Sequence, residues 1–226
     1  MGHVHRRLIA FDLDGTLVDS RQDLADSANQ LVAELGGRPL TTEAVVGMIG
    51  EGAALLVQRA VAAAGLPEQQ DALPRFLDIY DTRLLNHTRL YPGIADAVAH
   101  ARTHARVAAL TNKPLRPSYR ILEALGVREL FDDVIGGDGP HPRKPDPASL
   151  QALMARAAAA PVGTLLVGDS RIDRETARRA GARCCLLSYG FGFPDDPGRD
   201  GEWIVADAAA LPGVFEQFAT ATPHPA

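Results

Sequence analysis

The chain has 226 residues, 46% hydrophobic and 23% charged, with a formal net charge of −5. Those values suit a globular protein with a real core and exclude disordered, collagen-like and coiled-coil chains, and the negative sign argues against a protein built to grip nucleic-acid phosphates or an anionic membrane. Of 23 basic Lys+Arg side chains only two are lysine, Lys113 and Lys144, and each stands directly before a proline.

In chain order, Arg6 to Leu13 (RRLIAFDL) is a short apolar run ending in acid and glycine, which predicts a buried strand leaving at Asp12-Leu13-Asp14-Gly15. From Asp19 to Tyr91 the apolar residues keep a helical period (Leu24, Ala28, Leu31, Leu35; Leu55, Leu56, Ala60; Phe76, Leu77, Tyr80, Leu84) with no strand between them. Gly36-Gly37-Arg38-Pro39, Gly50-Glu51-Gly52 and Gly65-Leu66-Pro67 break that stretch into helices. About seventy residues is too long for a loop, so a small helical domain over the strand ends is expected. Strands follow at Arg106 to Leu110, Asp133 to Ile135 and Thr164 to Val167, each ending in polar or glycine residues. Between them lie helices opened by Pro92-Gly93 and by Asp146-Pro147, or followed by Gly126. The alternation predicts an α/β fold with a mostly parallel sheet.

In such sheets ligands bind beyond the carboxyl ends of the strands, where Asp12, Asp14, Thr111, Lys144 and Asp169 all fall. Asp12 and Asp14 leave an extended backbone on the same side, a pairing that invites a divalent cation or a shared proton, and Asp169 would add a third oxygen to a ligand set suited to Mg²⁺. A carboxylate can attack phosphorus once repulsion from the phosphate is cancelled, a task for the metal, Lys144 and the Thr111 hydroxyl. The second carboxylate can then protonate the leaving oxygen and activate a water.

FDLDGTLVDS, LTNKP, RKPDP and VGDSRIDRETARRAG, in this order, resemble the four motifs of the haloacid dehalogenase superfamily. The TNKP form, IGEGAALLVQRAV and YPGI resemble its phosphoglycolate phosphatase branch, and the similarity covers roughly Arg6 to Phe193. The resemblance implies a Rossmann-like core (1–18 and 91–226) with an inserted helical cap (19–90), and Mg²⁺-dependent hydrolysis of a small phosphorylated metabolite, 2-phosphoglycolate, through an aspartyl phosphate. It makes Asp12 the nucleophile and a metal ligand, Asp14 the acid/base and a ligand through its backbone carbonyl, and Asp169 a further ligand. Thr111 and Lys144 would hold the phosphoryl group, Asp173 would support the metal's water or Lys144, and Asn112 and Gly15 would support the site. One departure is Ile172, where many relatives carry asparagine before the second acid. Arg59 and Lys113 are possible substrate contacts.

Other readings keep this core: another small phosphate (a sugar phosphate, pyrophosphate or nucleotide) or a phosphosugar mutase. A phospho-receiver module would be about half this length without an insert, and an inactive scaffold has no use for the full acidic set. Schiff-base cleavage of a phosphonate needs a cap lysine, and Asp19 to Tyr91 has none. His100 and His104, four apart, read as an exposed helix face without a third ligand, and His3 and His5 as terminal residues. Tyr189-Gly190-Phe191-Gly192 reads as a loop near the site's mouth. The adjacent Cys184 and Cys185 read as buried, reduced strand residues. With no secretion signal at Met1 to Phe11 and no long apolar span, a cytoplasmic monomer or homodimer without nucleic-acid or membrane partners is expected.

Overall fold

The computed structural model describes residues 7–194, 198 and 201–220; His3 and His5 lie outside them. In chain order the elements are β1 (Leu8–Phe11), β2 (Val18–Asp19), α1 (Arg21–Glu34), α2 (Thr42–Val46), α3 (Ala53–Ala63), α4 (Ala72–Arg83), β3 (Arg89–Leu90) and α5 (Ile94–Ala101). They continue with β4 (Arg106–Leu110), α6 (Leu115–Ala124), β5 (Asp133–Ile135), α7 (Ala148–Ala157), β6 (Thr164–Gly168), α8 (Arg171–Ala180), β7 (Arg183–Leu187), β8 (Trp203–Val205) and α9 (Leu211–Thr220).

Six strands form one parallel sheet in the order β5-β4-β1-β6-β7-β8. From β1 the chain fills one side of the sheet, β4 then β5, and crosses to fill the other from β6 to β8. β1 therefore lies where the winding reverses, the place at which a parallel sheet opens a crevice beyond its strand ends. Asp12 directly follows β1.

Alternate side chains along the central strands enter two apolar layers, as the two-residue period of a strand requires. Ile9, Phe11, Val107, Ala109, Leu165, Val167 and Cys185 face one, together with Ile94, Val98, Phe131, Phe215 and Phe218. Phe11 meets Phe131 and Phe215 edge-on, with ring centroids 6.4 and 6.0 Å away. Leu8, Ala10, Ala108, Leu166 and Cys184 face the other, against Leu150, Leu153 and Met154 of α7 and Ala177 of α8. Cys184 and Cys185 are buried strand residues as read from the sequence, both free and pointing into opposite layers.

The helical stretch is present as α1 to α4, with α1 packed on α2, α3 and α4. Its apolar face joins the first layer through Leu13, Leu17 and Leu24 to Leu31, Phe76 and Tyr80. The expectation that no strand occurs there is corrected at its edges: β2 and β3 pair antiparallel, Val18 with Leu90 and Asp19 with Arg89. Two residues carry too little alternation to be read in advance. β8 was likewise not anticipated, and α7 starts one residue later than expected, with Asp146 Oδ1 accepting from Ala148 N at 2.9 Å. Among the described residues no helix is long and apolar enough to cross a membrane.

Asp23 ties the start of α1 to the return into the sheet. Its carboxylate, 1% exposed, accepts from the backbone N–H of His87 (3.0 Å) and Thr88 (2.8 Å) and from the Thr88 hydroxyl (2.7 Å). Removing it leaves buried donors without an acceptor. Asp23→Ala is expected to destabilise by about 3 kcal/mol, read as a lowered urea midpoint with an unchanged slope.

Candidate active site

The fold brings the strand-end residues named from the sequence into one cleft. Asp12, Asp14, Thr111, Asn112 and Lys113 line a single cavity, whose opposite wall comes from the helical stretch: Leu24, Ile49, Leu56, Phe76, Leu77 and Tyr80. Lys144 lies behind Asp12. Its Nζ is 2.8 Å from Asp12 Oδ1 and 2.6 Å from Asp173 Oδ1, and its side chain is 2% exposed.

Asp12, Asp169 and Asp173 each offer an oxygen within 4.8 Å of the others, all buried. Three clustered carboxyl groups share one buried ammonium, which contacts Asp12 and Asp173, so acid outnumbers cation in a setting where unpaired charge is costly. Burial raises the Asp12 carboxyl to about 8, Lys144 opposing the rise and Asp173 and Asp169 adding to it. Burial, then the charge of Asp173, raises Asp169 to about 6 against hydrogen bonds from Phe191, Gly192 and Thr16. Clustered hard oxygen donors whose charged forms are disfavoured without a further cation are the chemistry a small divalent ion answers, so the residues present fit one.

Asp169 is held on every side. Thr16 Oγ1 donates to Oδ1 at 3.1 Å, and the backbone N–H groups of Phe191 and Gly192 donate to Oδ2 at 2.6 and 3.1 Å. Glycine is required at two of its neighbours. At Gly15, where φ is +88°, a Cβ would stand 2.3 Å from Asp169 Oδ2, and at Gly190 one would stand 2.2 Å from Asp169 Cβ. The loop Tyr189 to Gly192 thus orients a carboxylate rather than merely bordering the mouth, and Tyr189 Oη donates to Thr16 O at 3.0 Å. Its sequence signal was the pair of glycines after a strand; the partner, more than twenty residues away, was not legible.

Asp14 faces a different environment. Ser20 Oγ donates to its Oδ1 at 2.6 Å, and Lys113 Nζ lies 2.8 Å from its Oδ2. Lys113 is therefore buried against an acid rather than adding loose positive potential at the mouth. Burial opposes its charge, but Asp14 and Tyr80 more than offset that and leave the ammonium harder to deprotonate than usual. Neither partner of Asp14 stood out in the sequence beyond the Lys-Pro dipeptide.

Asn112 holds the two sides together. Its Nδ2 donates to Gly50 O and to Lys144 O, both at 2.9 Å, while Oδ1 accepts from Lys144 N at 2.8 Å. The backbone of Lys144 is thus fixed from both ends. Thr111 Oγ1 accepts from Lys113 N at 3.1 Å in the turn after β4. Ser170 caps α8 in a reciprocal box with Asp173: Asp173 N donates to Ser170 Oγ at 3.3 Å and Ser170 N donates to Asp173 Oδ2 at 3.2 Å, with the Ser170 hydroxyl also donating to that oxygen at 2.5 Å. Ile172 leaves that arrangement intact. Arg59 is not brought to the cavity: its Nη2 pairs with Glu51 Oε1 at 2.5 Å, which answers the charge at the surface. His100 and His104 do meet, Nε2 to Nε2 at 3.2 Å, with Glu216 3.7 Å from His100 on the side remote from this cleft.

The model of the haloacid dehalogenase-like hydrolases matches residues 9–187. The chain belongs to that family. This haloacid dehalogenase-like hydrolase is 42% identical over 188 residues to a phosphoglycolate phosphatase of Cereibacter sphaeroides, covering 81% of this chain and 85% of that one. It is 41% identical over 223 residues to the phosphoglycolate phosphatase of Rhodospirillum rubrum, covering 95% and 88%. Its fold matches the crystal structure of a predicted phosphoglycolate phosphatase from Haemophilus somnus 129PT with a TM-score of 0.84 and 32% identity, over 94% of this chain and 99% of that one. The hydrolase is a phosphatase of this family, acting on a small phosphorylated molecule, and its core is Rossmann-like.

Proposed function

We propose that the enzyme hydrolyses 2-phosphoglycolate to glycolate and phosphate, with Asp12 as nucleophile and Asp14 as general acid and base. One observation carries the division of labour: the two acids have separate surroundings. Asp12 faces Lys144 and the acidic cluster, whereas Asp14 is held by Ser20 and Lys113 on the cavity side. The names and high coverage of the relatives support the substrate.

In this reading an Asp12 oxygen forms a bond to phosphorus as the ester P–O bond breaks, and Asp14 gives its proton to the departing glycolate oxygen. Asp14 then takes a proton from a water that attacks the aspartyl phosphate, releasing phosphate and restoring Asp12. Lys144 and the Thr111 hydroxyl hold the phosphoryl oxygens, and Asn112 and Asp173 hold Lys144 in place. Asp12, Asp169 and the backbone carbonyl of Asp14 would carry Mg²⁺. Bound there it would cancel the repulsion between the nucleophile and the phosphate dianion. Gly15 keeps room for Asp169. Residues 1–18 and 91–226 serve as the catalytic core and 19–90 as the cap that closes the cavity over the leaving group.

A phosphate-release panel of small phosphomonoesters tests the reading. The expected result is the highest kcat/KM for 2-phosphoglycolate, falling by about 100-fold or more in EDTA and restored by added Mg²⁺. A sugar phosphate, pyrophosphate or nucleotide turned over tenfold better would overturn the substrate, and undiminished rates in EDTA would overturn the metal.

A further inference from the structure

The wall of the cavity that faces away from Asp12 is almost entirely apolar, from Leu24, Ile49, Leu56, Phe76 and Leu77. Among the described residues lining it, Lys113 is the one cationic side chain. Its Nζ also lies over the Tyr80 ring, 4.6 Å from the centroid. Tyr80 is 3% exposed, and although Lys113 lies against its hydroxyl oxygen, the hydroxyl proton has no acceptor among the described residues. A buried hydroxyl without an acceptor costs free energy that a ligand supplying one recovers. Burial pushes this phenol up to about 12, so it stays protonated and able to donate.

From this juxtaposition we infer that Lys113 and Tyr80 form a carboxylate subsite, which selects phosphate esters whose leaving group carries a carboxylate one carbon from the ester oxygen. The inference rests on the reading of Asp14 as the group that meets that oxygen. In an α-phosphooxy acid a single carbon separates the ester oxygen from the carboxylate, so the cation for the carboxylate must stand beside the acid for the oxygen. Lys113 Nζ stands 2.8 Å from Asp14 Oδ2. Lys113 Nζ donates to both oxygens of Asp14, at 3.0 and 2.8 Å, so of an ammonium's three donors the third is the one it can turn to the substrate. The Tyr80 hydroxyl supplies a second, neutral donor, and the apolar wall offers nothing to the hydroxyls of a sugar. Arg59, the alternative cation of the helical stretch, is held by Glu51 outside the cavity.

Discrimination follows from the hydroxyl proton that lacks an acceptor: a site with a buried donor rejects an analogue lacking the acceptor far better than an apolar pocket rejects a misfit. The test compares kcat/KM for 2-phosphoglycolate with that for 2-hydroxyethyl phosphate, of the same length but with the carboxylate reduced to an alcohol. It is run on the Mg²⁺-loaded full chain, on Tyr80→Phe and on Lys113→Met. The ratio of the two substrates within one variant cancels any loss of folded enzyme or of general catalytic power. Tyr80→Phe is expected to lower that ratio by about 10-fold and Lys113→Met by about 100-fold. A ratio unmoved in both variants, or a wild-type enzyme with no preference for the carboxylate, overturns the subsite. Preference for a different carboxylated ester, such as 2-phospholactate, with the ratio still falling in both variants, overturns the glycolate reading and supports the subsite.

Discussion

Asp12→Asn is expected to lower kcat by about 10⁴-fold or more while the protein stays folded. The amide has nearly the shape of the carboxylate, so the packing beyond β1 is undisturbed, and Lys144 keeps Asp173 at 2.6 Å as its second partner. What is removed is the charge and the nucleophilic oxygen that faces Lys144 at 2.8 Å. An amide oxygen is a poor nucleophile toward phosphorus, and no other side chain in the cavity replaces it: Asp14 is turned to Ser20 and Lys113. Single-turnover phosphate release with an unchanged circular dichroism spectrum checks this, and ordinary turnover by the variant would end the covalent mechanism.

Lys144→Arg is expected to lower kcat/KM by about 100-fold or more although it conserves charge. The ammonium is a compact donor lodged between two carboxylates that each come within 2.8 Å, and its side chain is only 2% exposed. A planar guanidinium reaches further and forks, so it would have to push Asp12 away from its place or leave the slot. The backbone cannot yield, because Asn112 grips Lys144 at both N–H and carbonyl. Kinetics of the variant beside its thermal midpoint separate a misplaced nucleophile from an unfolded one. Near-normal turnover would show that charge alone suffices.

Much of this was legible in the sequence because it was local. A strand that ends in an acid places that acid at the sheet's edge whatever surrounds it, so Asp12, Thr111 and Asp169 could be placed from their own segments. The strand identity of Cys184 and Cys185 followed from their own short apolar run, RCCLLS, in the same way. What escaped depends on partners distant in the chain. The grip of Phe191 and Gly192 on Asp169 spans 22 and 23 positions, and the ion pair of Lys113 with Asp14 spans 99. Arg59, named only as a possible substrate contact, pairs at the surface with Glu51, eight positions away. β8, three residues at the sheet's edge with Ile204 43% exposed, has no buried alternation to announce it.

The close approach of Gly15 and Gly190 to Asp169 has a consequence for how this chain tolerates variation. Neither residue has a side chain that could touch a substrate, yet adding a single methyl at either would displace the carboxylate that three donors hold. Mutational scanning would therefore score these two positions as severely as the acids themselves. Part of the enzyme's active geometry is encoded as excluded volume, and a search for function confined to reactive groups would pass over it.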